Sequence, residues 1–186
     1  MSNSKEILID GQHSLFDKNG MFYKEFPSDY RQVRFFSMLI VQKAPAEIKE
    51  INLLEQQISE LIKNAVRHGN KKDPSKKVRV WASFSTSHAH LVVEDEGEGF
   101  QQVEQWNEFN RKRNECFENH DFEELENYFA YRTEESTEDD GGNALFAAVE
   151  YWDGGVVFND EKNAVAVYKS FNEKKRPGIE ISSSQA

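Results

Sequence analysis

Apolar residues recur at steps of three and four along one stretch of the chain: Ile48, Ile51, Leu54, Ile58, Leu61, Ile62 and Ala65. That period sets them on one stripe of a helix from about Ala46 to His68, and Gly69–Asn70 reads as its stop. A shorter helix precedes it. Ser28 or Asp29 can cap its first turn, because a short oxygen-bearing side chain satisfies the free N–H groups there. Tyr30, Val33, Phe36, Leu39 and Ile40 then share a face until Pro45 ends the pattern. Elsewhere the period shortens to two. Met21–Phe26, Val78–Phe84 and Ala89–Glu94 alternate and predict strands, the last two joined as a hairpin. Helices are predicted around Val103–Phe117, Phe122–Phe129 and Asn143–Trp152. A second hairpin, Val156–Phe158 with Ala164–Tyr168, turns at Asn159–Asn163. Ile7–Ile9 is a candidate first strand, followed by a turn at Asp17–Gly20.

This order of strands and helices predicts an α+β fold, a two-layer α/β sandwich with helices on one face of a mostly antiparallel sheet. The other face would be open, so Arg79 and Ser83 can point to water. With 186 residues, one domain is expected, spanning 1–171. The tail 172–186 has no core pattern and is expected to be disordered. Fourteen Phe supply bulk for a core and exclude disorder along the whole length. The lone cysteine, Cys116, excludes an intrachain disulfide and is expected to pack in the interior. With no membrane span and no leader pattern at the start, the chain is expected in the cytoplasm. The net charge is −10, and residues 101–140 hold 13 acidic against 4 basic side chains, which is −9 of it. Such a balance disfavours nucleic acid as a partner.

Three short elements carry candidate chemistry. In Glu60–Asn70 (ELIKNAVRHGN), Glu60, Asn64 and His68 are spaced by four and stack along one helical face. A carboxylate beside an amide oxygen suits Mg²⁺ chemistry: the amide can ligate the ion and the carboxylate can deprotonate a nucleophile. A polar edge on an amphipathic helix reads the same way. In Asp95–Phe100 (DEGEGF), an aspartate at a strand end can accept a hydrogen bond from an exocyclic amine such as that of adenine. Gly97 and Gly99 let backbone approach a flat ligand; an ordinary glycine turn is the alternative. Gly141-Gly142-Asn143-Ala144 leads into a helix whose free N–H groups suit an anion, or is a linker with an N-cap Asn. His88 and His90 lack a third ligand and read as surface. Trp81, Trp106 and Trp152 read as core or partner-facing aromatics.

Taken together, the order and spacing of these elements resemble the N-box, the D-x-G-x-G box and the second glycine box of the GHKL (Bergerat-fold) ATPases. ELIKNAVRHGN and LFAAVEYWDGGVVFND look most like the bacterial anti-sigma-factor serine/threonine kinases. The resemblance implies ATP and Mg²⁺ as cofactors. It implies that Glu60 activates the attacking hydroxyl and that Asn64 ligates Mg²⁺. Asp95 would bind adenine, with Gly97 and Gly99 shaping the pocket and Gly142 on the phosphate side. Residues 101–140 would form the nucleotide lid, with Arg132 and Thr133 near the phosphates. A partner protein is implied, an antagonist or a sigma factor, and a homodimer. Two departures stand out: Ala144 occupies a position that is normally glycine, and the lid is long and acidic.

Overall fold

The computed structural model describes residues 5–132 and 143–171. Among them the main helix, α2, spans Ile51–Asn64, and its Leu54, Ile58, Leu61 and Ile62 are buried as the periodicity requires. It begins later than the pattern suggests, because the chain from Pro45 to Glu50 turns instead of coiling. It ends in a π turn, Ala65–Gly69. The preceding helix α1 (Val33–Val41) buries Val33, Phe36 and Ile40, whereas Tyr30 is exposed. Asp29 caps the 3-10 turn at Tyr30–Gln32 that leads into α1.

Six strands form one sheet: β1 (Leu8–Ile9), β2 (Phe22–Pro27), β3 (Lys77–Phe84), β4 (His88–Glu94), β5 (Gly155–Phe158) and β6 (Ala164–Ser170), in the order β1-β5-β6-β4-β3-β2. Every pair is antiparallel except β1 with β5. Val78, Val80, Leu91, Val93, Val156 and Val167 face the helices and form the main core with α1 and α2. The architecture is the α+β sandwich with a mostly antiparallel sheet.

The second face of the sheet is only partly open. Val92, Ala166 and Val157 pair in one row across β4, β6 and β5, and all three are fully buried. What covers them is the N-terminal segment 10–21, with a 3-10 turn at Ser14–Phe16. His90 Nε2 donates to the Leu15 carbonyl at 2.7 Å, and Lys18 Nζ sits 3.5 Å from the Trp81 ring centroid. Arg79 is only partly solvated, because it pairs with Glu25, Glu94 and Glu96.

Helix α3 (Val103–Asn119) closes the β1 edge. Its Trp106 is fully buried against Phe146, with ring centroids 5.3 Å apart. The Asn107 side chain satisfies the Ile7 backbone as a strand would: Oδ1 accepts its N–H at 2.9 Å and Nδ2 donates to its carbonyl at 2.8 Å. Asn110 donates to the Lys5 carbonyl at 3.0 Å. The predicted second helix of this segment is shorter, α4 (Phe122–Leu125) followed by a 3-10 turn, Glu126–Tyr128. Cys116 is buried. Helix α5 (Ala144–Tyr151) packs Phe146 and Val149 into the core. The expected loop 133–142 and the tail 172–186 lie outside the described residues. No helix among the described residues is long and apolar enough to cross a membrane.

Candidate functional site

Glu60 and Asn64 both lie in the regular part of α2, one turn apart, and both are half-exposed. The rise of about 1.5 Å per residue separates them by about 6 Å along the axis. His68 falls in the π turn and is exposed, so the predicted row of three is a regular pair with a displaced third member. The Glu60 carboxylate is held by Lys63 Nζ, at 3.0 Å to Oε1 and 3.2 Å to Oε2.

The π turn delivers Gly69 against Asp95. A Cβ on Gly69 would collide with both carboxylate oxygens of Asp95. A Cβ on Gly97 would collide with the Gly69 carbonyl and come within 2.9 Å of Asp95 Oδ1. Gly69, Asp95 and Gly97 are thus stacked with no room for a side chain, which is why glycine is needed at both positions. Gly69 is not in the left-handed region; that role passes to Lys71 and Lys72, at φ 55° and 60°. The helix stop and the glycine are therefore separate features, although the sequence pattern merges them.

Asn70 ties this floor together. It is fully buried. Its N–H donates to the Ala65 carbonyl at 2.8 Å and closes the π turn. Its Nδ2 donates to Ser28 Oγ at 2.6 Å and to the Lys77 carbonyl at 2.8 Å, and its Oδ1 accepts the Glu96 N–H at 2.7 Å. One side chain so fixes the end of β2, the start of β3 and the loop after β4. A polar group this deeply buried is costly unless satisfied, so the partners and the residue are mutually required. In the sequence it shows only as part of a helix stop.

The loop between β5 and β6 forms a further wall. Asp95 N–H donates to the Asn163 carbonyl and Phe100 N–H to the Lys162 carbonyl, each at 2.9 Å. Gly99, at φ 85°, lies so close to the Glu161 carbonyl that a Cβ would collide with it. Asp95 accepts the Gly97 N–H at 2.8 Å. Burial pushes its carboxyl up to about 6, against smaller lowering effects from that N–H and from Lys76. A partly desolvated carboxylate at the foot of a glycine-lined surface is suited to accept a hydrogen bond from a flat ligand.

The phosphate-side elements are less completely described. Gly142 and Thr133 lie outside the described residues, and Arg132 is exposed. Ala144 opens α5 and is exposed, so its methyl group presses on nothing in the core. Asn143 occupies the N-cap position but makes no side-chain cap hydrogen bond. A separate cleft of about 190 Å³, lined by Lys5, Glu6, Trp152 and Gly155, lies at the other end of β5 from the Asp95 floor.

A family model described as a histidine kinase-like ATPase domain matches residues 26–169, from β2 to the end of β6. No curated protein matches the chain. The matched stretch contains α2, the Asp95 floor and the β5–β6 wall, and its fold is the open α+β sandwich described above. The chain belongs to the histidine kinase-like ATPase domain family.

Proposed function

We propose that this chain is an ATP-binding regulatory protein that acts as a serine/threonine kinase on an antagonist protein, in the manner of the anti-sigma-factor kinases it resembles, and that it also binds a target such as a sigma factor. The observation that carries the nucleotide part is the Asp95 floor. Gly69 and Gly97 let the backbone close on the Asp95 carboxylate with no side chain in the way, and that carboxylate can accept a hydrogen bond from an exocyclic amine. That donor set fits adenine. The half-exposed Asn64 fits a Mg²⁺ ligand, since an amide oxygen suits a hard cation that keeps most of its water.

ATP with Mg²⁺ would supply the phosphoryl group. The chain's own residues do the rest. Asp95 fixes the base end by accepting a hydrogen bond from its exocyclic amine. Glu60 takes the proton from the partner's hydroxyl as that oxygen becomes the nucleophile. To do so, Glu60 must free one oxygen from Lys63. Such a pair, with both side chains about one-third exposed, is worth little and exchanges readily. Positioning and electrostatics supply most of the rate in phosphoryl transfer.

A second reading rests on two observations. Ala144 replaces a glycine of the phosphate-side box, and Glu60 is held by Lys63. Both favour a non-catalytic switch, in which the nucleotide gates binding of a protein partner. Incubating the chain with its cognate partner, Mg²⁺ and γ-labelled ATP separates the two. The kinase reading expects label on a partner serine or threonine, with more in Ala144→Gly if the methyl crowds the phosphates. Nucleotide binding with no transferred label in either protein leaves the switch.

A further inference from the structure

Among the described residues the Asp95 carboxylate takes one hydrogen bond, from the Gly97 N–H to Oδ1 at 2.8 Å. Its aim therefore depends on where the backbone of residues 95–97 sits. Three sets of hydrogen bonds tie that backbone to other segments. Asp95 N–H donates to the Asn163 carbonyl at 2.9 Å. Glu96 anchors through its side chain, Oε2 accepting the Lys77 N–H and Oε1 the Arg79 Nη2, each at 2.8 Å. Glu96 N–H donates to Asn70 Oδ1 at 2.7 Å. The Glu96 side chain is exposed, so water competes for both of its contacts and they hold the loop weakly. Asn70 is fully buried, and its contact has no such competitor.

The Asn70 amide fits its site in one orientation. Nδ2 lies against two acceptors, Ser28 Oγ at 2.6 Å and the Lys77 carbonyl at 2.8 Å, and Oδ1 lies against a donor. A flipped amide would set Nδ2 against the Glu96 N–H and Oδ1 against the Lys77 carbonyl, two contacts of like with like. The side chain thus presents a fixed acceptor to the peptide that follows Asp95. We propose that Asn70 is a positioning residue that gives the site its preference for a base with an exocyclic amine. The proposal rests on the reading of Asp95 as the acceptor of that amine. Being fully buried, Asn70 acts through the Asp95–Glu96 peptide and not by touching the base. A hydrogen bond is directional, so a carboxylate on a backbone that can drift loses the amine first. Contacts made elsewhere with the sugar and the phosphates do not depend on that aim.

The test is calorimetric titration of the full chain, at neutral pH with Mg²⁺, with ATP and with purine riboside triphosphate, which is ATP without the exocyclic amine. Wild type should prefer ATP by about ten- to a hundredfold. Asn70→Ala should cut that preference by about tenfold, chiefly through weaker binding of ATP. Ser28→Ala is the control. It removes one acceptor of Nδ2, while the Lys77 carbonyl still orients the amide and Oδ1 still holds Glu96. It should therefore lower the melting temperature and keep the preference for ATP. If Asn70→Ala does not fold, Asn70→Ser takes its place, because its hydroxyl is one bond shorter than Oδ1 and falls short of the Glu96 N–H. An Asn70 variant that binds both nucleotides more weakly by the same factor overturns the inference, since Asn70 then only holds the fold. So does a Ser28→Ala protein that loses the preference as fully, because the loss would then follow stability and not the Glu96 contact. A wild type that binds neither nucleotide, or both equally, contradicts the reading of Asp95 itself and takes the inference with it.

Discussion

The floor around Asp95 and the row along α2 serve one candidate site, and the fold builds them by different means. The floor is made by close approach. Gly69, Asp95 and Gly97 touch without room for a methyl group, and the buried Asn70 locks the surrounding backbone through four hydrogen bonds. The row holds the half-exposed Glu60 and Asn64, with Glu60 in an ion pair with Lys63. Recognition of a flat base requires a fixed surface, whereas a proton acceptor must be able to change partner. The contrast teaches where the two readings of function part: nucleotide binding rests on the rigid half and catalysis on the loose half.

The largest effect should come from removing the base. In a partner-phosphorylation assay, Glu60→Gln should lower transfer by about 10²–10⁴-fold, the usual contribution of a general base, with ATP affinity unchanged. A matching loss of ATP affinity would mean that the row is part of the binding surface and that the contrast is false.

Gly69→Ala attacks the rigid half. Its methyl must displace the Asp95 carboxylate, and overpacking of this kind costs roughly 1–3 kcal/mol. ATP affinity should fall by about ten- to a hundredfold. Calorimetric titration measures it, and wild-type affinity would show that the close contact is not needed.

A smaller effect concerns pH. Burial raises the Asp95 carboxyl from 3.8 to about 6, so the native chain keeps its proton over a window where the unfolded chain has lost it. Stability contributed by this group is therefore greatest below the lower value, falls as pH rises through the window and is gone above about 6. Without nucleotide, Asp95→Asn should melt higher than wild type at neutral pH, and the gap should close towards about pH 4. A gap independent of pH would place Asp95 in water.

Much of this was legible in the chain because it rests on period and on glycine. The stripe Leu54–Ile58–Leu61–Ile62 and the alternation of β3 and β4 read directly as elements, and Asp95-x-Gly97-x-Gly99 reads as a tight glycine turn. What was not legible depends on contacts between distant segments. Segment 10–21 has no apolar period, so nothing local announced that it would cover Val92, Ala166 and Val157. Asn107 and Asn110 read as polar positions of a solvated helix, yet they replace a missing strand at the β1 edge. Gly69 and Asn70 read as a helix stop, because close approach to Asp95 leaves no trace in a one-dimensional pattern.

The central claim is that Asp95 is the floor of an ATP site. Isothermal titration of wild type and Asp95→Asn with Mg·ATP, above pH 6 where the carboxyl is ionised, tests it most directly. Loss of a buried hydrogen bond from amine to carboxylate costs roughly 1.5–3 kcal/mol, so the variant should bind about ten- to a hundredfold more weakly. Equal affinities in the two proteins would contradict the assignment, and no ATP binding by wild type would contradict the function.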